Sequence, residues 1–515
     1  MYGRAWQALA SSQWAEAQRA FALTVSREPG RGEAWLGLAL AFWRAGDRFA
    51  GLGAARRAAE LAPASVDALV LLADILRDIG DLNGARVALE AACEIDPASA
   101  PTLRLLSDVY RRLRRPADAL AVARRALECD PSSIDGLVSV ADALLATESF
   151  AEAEKIYRIA IACDRHALRA AFGLGRVALA QAAWQDARAA FERALEIDPN
   201  DPDVRYNLAL LDLRFGAYRE GFAAYPAIMD TASDGARYYY YREGIPRWSG
   251  DPPAGRRLVI SLDQGLGDQI MMARFFARLP ESTPAIVVET LPASMTLFQR
   301  NFTNVRFERF THWRPPASLD VHLPMMQLPC IANIAVASDI SGEAYLRADP
   351  ERVQRWKERL GDDRDVRHVG IVWHGNPLNT RERWRAAALR HWAPLARVAG
   401  VRFHSLQLDA TETEIAEAPF QLSPMHTWIG DMDDTATLMT ALDGIISVDT
   451  STIHLAGALG RPAWLANSLV GDFRWGFAGA ESPWYASVRI VRQTVCDEWQ
   501  PVFQQIAFEL ECAWL

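Results

Sequence analysis

Prolines fall on a 34-residue ruler through the first part of this chain. Pro29, Pro63, Pro97 and Pro131 stand 34 apart, and Pro199 follows after two further steps. The vacant slot is Arg165. An aspartate precedes the slot in Asp96-Pro97, Asp130-Pro131, Asp164-Arg165 and Asp198-Pro199. A fixed period of this length means one supersecondary unit copied along the chain. Each copy needs its neighbours to bury its apolar face.

Other positions keep the same phase. Five residues before each slot stand Thr24, Ala58, Ala92, Ala126, Ala160 and Ala194; twelve before stand Ala17, Gly51, Ala85, Ala119, Ala153 and Ala187. Twenty-four before stand Ala5, Ala39, Ala73, Ser107, Ala141 and Gly175. Small residues recur where two helices approach closely. Large ones recur where knobs fill holes, as at Leu38, Leu72, Leu106, Val140 and Leu174. The pattern resembles the tetratricopeptide repeat, a helical hairpin, over about six units. A half-matching unit from Asp203 to Tyr225 reads as a terminal repeat capped by whatever follows. The expectation is an α-solenoid over residues 1–235 whose concave groove takes a peptide or protein partner. A spacer or a dimerisation module, giving a homo-oligomer, is the other reading.

The formal net charge is −9, which argues against a nucleic-acid or anionic-membrane ligand. The opening MYGRAWQALA has no basic stretch followed by an apolar core, and no 18-residue apolar run appears. A cytoplasmic protein with no membrane-spanning segment is expected. Six cysteines occur without a CxxC pair, so reduced core thiols are expected rather than disulfides or a zinc site.

Composition shifts around residues 230–256, where Tyr238-Tyr239-Tyr240-Tyr241 leads to Pro246-Arg247-Trp248-Ser249-Gly250-Asp251-Pro252-Pro253. Strands and helices then alternate. Strands are expected at 257–261, 285–289, 368–373, 401–406, 444–448 and 463–467, with an amphipathic helix over 268–279. The charged stretch Asp362-Asp363-Arg364-Asp365 separates two such blocks. This reads as two parallel-sheet α/β lobes, 236–362 and 363–515, with ligands at the C-terminal ends of their strands.

Three motifs sit at such ends. Asp263-Gln264-Gly265-Leu266-Gly267-Asp268-Gln269-Ile270 follows a strand and opens a helix. Its Asp268 is either a helix cap or a carboxylate aimed into the cleft. Ser447-Val448-Asp449-Thr450-Ser451-Thr452-Ile453-His454 does the same in the second lobe. Free amides at a helix N-terminus and three hydroxyls make an anion site there, though His454 also suits a packed core. Gly370-Ile371-Val372-Trp373-His374-Gly375-Asn376-Pro377 is followed by Arg381, Arg383 and Arg385, whose planar forks suit phosphate. Asp434-Thr435-Ala436, Asp472-Phe473-Arg474-Trp475 and Ser482-Pro483-Trp484-Tyr485 are weaker signals.

GLGDQI, VGIVWHGNP and SVDTSTIHLAGALGRP together resemble the bacterial glycosyltransferases related to ADP-heptose:lipopolysaccharide heptosyltransferases. Their tetratricopeptide-bearing relatives, in which DFRW and SPWY also have counterparts, are resembled more closely. The resemblance implies a GT-B fold: two Rossmann-like lobes facing across a cleft, working without a metal or other cofactor on a nucleotide-sugar substrate. It implies Asp268 as catalytic base. It implies donor contacts from Gly265, Gly267, Trp373, Asn376, Asp449, Thr450, Ser451, Thr452 and His454, with Arg381, Arg383 or Arg385 at the diphosphate. Heptosyltransferases use a lysine in that turn, and this chain has none after Lys357. A protein Ser or Thr is the expected acceptor, flagellin by analogy, with a lipopolysaccharide precursor as the other class.

Two other functions fit parts of the pattern. Gly265-x-Gly267 with Glu289 about 20 residues on imitates an NAD fingerprint, but Ile270 replaces its third glycine. A repeat scaffold with an inactive transferase domain is the non-enzymatic alternative.

Overall fold

The computed structural model describes residues 2–225, 245–251, 257–262, 264–279, 286–309, 321–361, 363, 365–377, 379 and 382–514. Asp263, Tyr238–Tyr241, Ala285, Asp362, Arg364 and Arg381 lie outside them. The chain forms two compact units, the first running to Val204 and the second taking up from Arg205.

The first unit is a run of paired helices. Gly32–Arg44 with Arg48–Leu61, and Val66–Asp78 with Leu82–Ile95, set the pattern, which repeats through Leu168–Ala180 with Trp184–Ile197. Each proline of the ruler lies just past the second helix of a pair, where a ring cannot continue the helix. The in-phase alanines face inward: Ala58, Ala92, Ala126, Ala160 and Ala194 are all buried. Where Gly175 takes a slot, an aromatic ring has filled the space. A Cβ on Gly175 would lie 2.3 Å from the Phe191 ring.

A second ruler emerges in the turns. Ser12, Gly46, Gly80, Arg114, Glu148, Ala182 and Gly216 all have φ between +56° and +87°. They stand 34 apart and mark the turn between the two helices of each pair. Left-handed backbone costs a side-chain-bearing residue about 1–2 kcal/mol, so the turn geometry is imposed by the packed hairpin.

The second unit begins with helix residues. Leu213, Tyr218, Phe222 and Tyr225 are buried in its core. The unit boundary therefore falls at Val204–Arg205 rather than near 235, because the terminal repeat lends its apolar face to the α/β core. Two all-parallel sheets follow. The first has β1 (Leu258–Ser261), β2 (Ile286–Thr290), β3 (Arg306–Arg309) and β4 (Val321–Pro324) in the order 3-2-1-4. The second has β5 (Arg367–Val372), β6 (Val401–Ser405), β7 (Leu422–Ser423), β8 (Gly444–Val448), β9 (Ala463–Asn467) and β10 (Val488–Arg492). Its order, β10-β9-β8-β5-β6-β7, is that of a doubly wound dinucleotide-type sheet.

One hydrophobic core runs from β1, β2 and β4 to the helices and strands around β8 to β10. Charge reinforces the join. Asp433, fully buried on helix Met432–Ala441, accepts from Arg300 on Met295–Asn301 and from Arg352 on Pro350–Leu360. Asp434 pairs with the same Arg352 and caps its own helix, so Asp434-Thr435-Ala436 is a tie between lobes.

Of the six free cysteines, only Cys93 is buried; Cys129, Cys163, Cys496 and Cys512 are exposed. The core-thiol expectation thus holds at one position. Cys330 is half-buried on the short helix Leu328–Ile331, and the exposed four sit near the ends of second helices or in the last twenty residues.

Candidate functional site

Four strands deliver the motif residues to the same end of the two sheets. β1 ends at Ser261 and leads into helix Leu266–Ala273; β8 leads into helix Ser451–Ala458. Parallel strands point their C-terminal ends one way, so the helices that follow present their N-termini there. The two helices meet at Gly267. A Cβ on that glycine would come 2.8 Å from His454 Cδ2 and 3.5 Å from Ser451 Cα. Gly267 is therefore required by the approach of His454.

Asp268 occupies the third position of its helix. Its Oδ2 accepts from the Gly265 amide at 3.1 Å, the cap foreseen for it. Its other oxygen pairs with Arg474, across the two lobes. Burial raises the Asp268 carboxyl above the ordinary range, the Arg474 charge pulls it back, and Asp472 pushes it up again. Gln269 is buried. It holds the helix to β2 by donating to the Glu289 carbonyl at 3.1 Å and accepting from Ser294 Oγ at 2.6 Å.

On the opposite lobe Thr450 caps its helix, its Oγ1 accepting from the Thr452 amide at 3.3 Å and lying 3.0 Å from Ser447 Oγ. Ser451 is partly exposed and Thr452 buried. Asp449 is partly exposed; burial and the nearby Asp472 raise its carboxyl to about 6, against the pull of Arg385 and Arg474. His454 is 4% exposed. It stacks on Trp475 with ring centroids 5.0 Å apart, and its Nδ1 lies 3.0 Å from the Tyr485 hydroxyl. Desolvation holds it neutral, with its pKa lowered to about 3. His454 is thus a packed, uncharged element of the wall.

The arginine cluster divides. Arg385 Nε donates to Glu382, which also accepts from the Gly375 amide, and its charge is felt at Asp449. Arg383 is exposed and lies over the neighbouring Trp384 ring at 4.3 Å. Asn376 is exposed, its carbonyl accepting from Asn379. Trp373 is 2% exposed, with its indole donating to Glu414 at 3.2 Å. It sits just past the end of β5, in the buried cluster with Val369, Ile371 and Trp392.

The centre of charge is a residue outside the expected set. Arg474 is 9% exposed, bonded to Asp472 on its own loop and to Asp268. Arg214, from the helix preceding the α/β fold, donates to the carbonyls of Gly471 and Gly476 and so brackets this loop. The DFRW motif carried the signal. Its arginine was passed over because its partner lies 206 residues away in sequence.

A polar groove occurs in the first unit. A cavity of about 350 Å³ is lined by Arg77, Arg104, Asp108, Arg111, Asp142 and Arg169 among others. Asp142, nearly buried, accepts from the Tyr157 hydroxyl at 2.6 Å and from Arg176 at 2.9 Å. Asp74, Asp108 and Asp142 share one slot of the 34-residue repeat.

The fold is that of a tetratricopeptide-repeat protein with an appended parallel α/β unit. Tetratricopeptide repeat models match residues 2–48 with 140–202, 66–99, and 178–239. Among characterised relatives, Protein FlbA of Caulobacter vibrioides is 30% identical over 299 residues, 51% of this chain and 48% of FlbA. The chain thus spans about half the length of that relative. Solved structures with likeness include YrrB, described as a TPR protein with an unusual peptide-binding site, at 16% identity and TM-score 0.31 over 38% of this chain and all of that one. A tetratricopeptide repeat protein from Parabacteroides merdae shows 13% identity and TM-score 0.41 over 45% of this chain and 90% of that one. No helix among the described residues is long and apolar enough to cross a membrane.

Proposed function

We propose that this protein is a glycosyltransferase of GT-B type that moves a sugar from a nucleotide-sugar donor to an acceptor hydroxyl. One observation carries the reading. Asp268 from the first lobe pairs with Arg474 from the second, whose charge is also felt at Asp449, and Gly267 beside it lies against Ser451 at the N-terminus of helix Ser451–Ala458. Such a place suits a phosphorylated ligand.

The chemistry follows from charge. As the acceptor oxygen attacks the anomeric carbon, the bond to the diphosphate breaks and negative charge grows on the leaving oxygen. Arg474, Arg385 and the amide of Ser451 stabilise that charge more in the transition state than before it. Asp268 takes the hydroxyl proton. Its burial strengthens it as a base relative to a solvated carboxylate. Arg385 and Arg474 supply the cations that the absent lysine would give. The oxidoreductase alternative loses its ribose ligand, since Glu289 is 5% exposed and packed beneath the helix.

The solenoid supports a protein acceptor, since stacked hairpins commonly bind peptides along their inner face. Flagellin is the candidate retained from the sequence resemblance. A thermal-shift screen of the full chain against UDP-, GDP-, ADP- and CMP-sugars tests the donor claim, because a bound donor raises apparent stability by mass action. One family of nucleotide sugars is expected to stabilise the protein and to be turned over with an acceptor protein. A flat response to all four, with no turnover, would sink the reading.

A further inference from the structure

We propose that the Asp268–Arg474 pair is a gate opened by the donor's diphosphate: the pair withholds the base until an anion draws the guanidinium away. The proposal rests on the transferase reading above, but its test does not.

Both oxygens of Asp268 are engaged, one by Arg474 and one by the Gly265 amide. A hydroxyl approaching it meets a carboxylate whose charge is already spent. Arg474 is equally committed, with Nη2 on Asp268 and Nη1 on Asp472. Its Nε, buried, has no hydrogen-bond acceptor among the described residues. The pair joins two lobes through side chains, so it separates by rotation of one guanidinium while Arg214 keeps hold of the loop's carbonyls.

An entering diphosphate offers several oxygens to the same fork, a better bidentate match than one carboxylate oxygen. Asp268 then competes with the diphosphate for Arg474. Competition of this kind is reciprocal: whatever weakens the pair strengthens anion binding, and the anion frees the carboxylate. Acceptor deprotonation is thereby tied to a filled donor site. Asp268 thus acts on the donor side as well as on the acceptor.

The test is calorimetric titration of the full chain with inorganic diphosphate. Asp268→Asn keeps the shape and the cap but removes the competing charge, and is expected to bind diphosphate roughly tenfold tighter than the unaltered protein. Arg474→Gln is expected to lose binding. Thermal unfolding checks that each variant folds. If Asp268→Asn does not fold, Asp472→Asn serves, since it frees the same guanidinium from its other carboxylate and is expected to tighten binding too.

Equal or weaker affinity in the folded Asp-to-Asn variant, or no binding by any form, overturns the gate. Tightening without turnover of any nucleotide sugar upholds the gate and sinks the transferase reading. Turnover with unchanged affinity sinks the gate alone.

Discussion

Asp268 holds two charges in balance, and its pH behaviour should show it. Burial raises its carboxyl, while Arg474 opposes the rise. A base must be deprotonated to act, so turnover falls as pH drops through the raised value. The acid limb of the rate profile is expected above the ordinary carboxylate range of about 4. In the donor-free protein Arg474→Gln removes the opposing charge and should move the Asp268 carboxyl further up in an NMR titration; a carboxyl that stays in place would separate the two residues. Asp268→Asn should lower turnover by about 10²–10⁴. A different pair contributes to acid stability. His368 Nδ1 and His404 Nε2 lie 2.8 Å apart in the core, and desolvation lowers the His404 pKa to about 4. The unfolded chain takes up that proton near pH 6.5, the native chain only near 4. Stability is therefore full above 6.5 and falls between 6.5 and 4, by about 3 kcal/mol. Urea midpoints across that window measure it, and His404→Asn should remove that share of the dependence, leaving the share due to His454, whose pKa is lowered to about 3.

At the scale of elements, the two rulers differ in what selects them. The proline ruler is written in residue identity, because only proline stops a helix so reliably. The turn ruler is written in backbone angle, and four of its seven slots hold Ser, Arg, Glu or Ala. Gly46, Gly80 and Gly216 alone hinted at it. Ala182→Gly or Glu148→Gly relieves left-handed strain and should stabilise the solenoid by up to about 1 kcal/mol, after the entropy that glycine forfeits. Chemical denaturation would show it, and a loss of stability would mean the turn is not strained. Gly267→Ala has the opposite sign. The added methyl meets His454 and should cost about 1–3 kcal/mol in the α/β unit. The strands divide in the same way. β8 and β9 occupy the expected residues because each is a largely apolar run, fully buried. β3, Arg306–Arg309, buries one of four residues and β7 has only two, so neither leaves a periodic trace. The site was legible in its helix N-termini and in Asp268. Arg474 and the clamp from Arg214 were not, since each depends on partners more than 200 residues away in sequence.

The whole molecule is two units, each with cores of its own. Buried clusters centred on Leu103 and Phe21 lie within the solenoid, and those centred on Ile270 and Trp392 within the α/β unit. Separate cores should unfold as separate transitions, and each can then be addressed alone. Asp142→Ala leaves Arg176 and the Tyr157 hydroxyl without their buried partner and should cost the solenoid about 3 kcal/mol. A diphosphate present at a hundred times its dissociation constant should add about 2.7 kcal/mol to the α/β transition. Scanning calorimetry of the full chain is expected to resolve two transitions, the mutation lowering one and the ligand raising the other. If either perturbation moves both together, the solenoid and the α/β unit fold as one cooperative block.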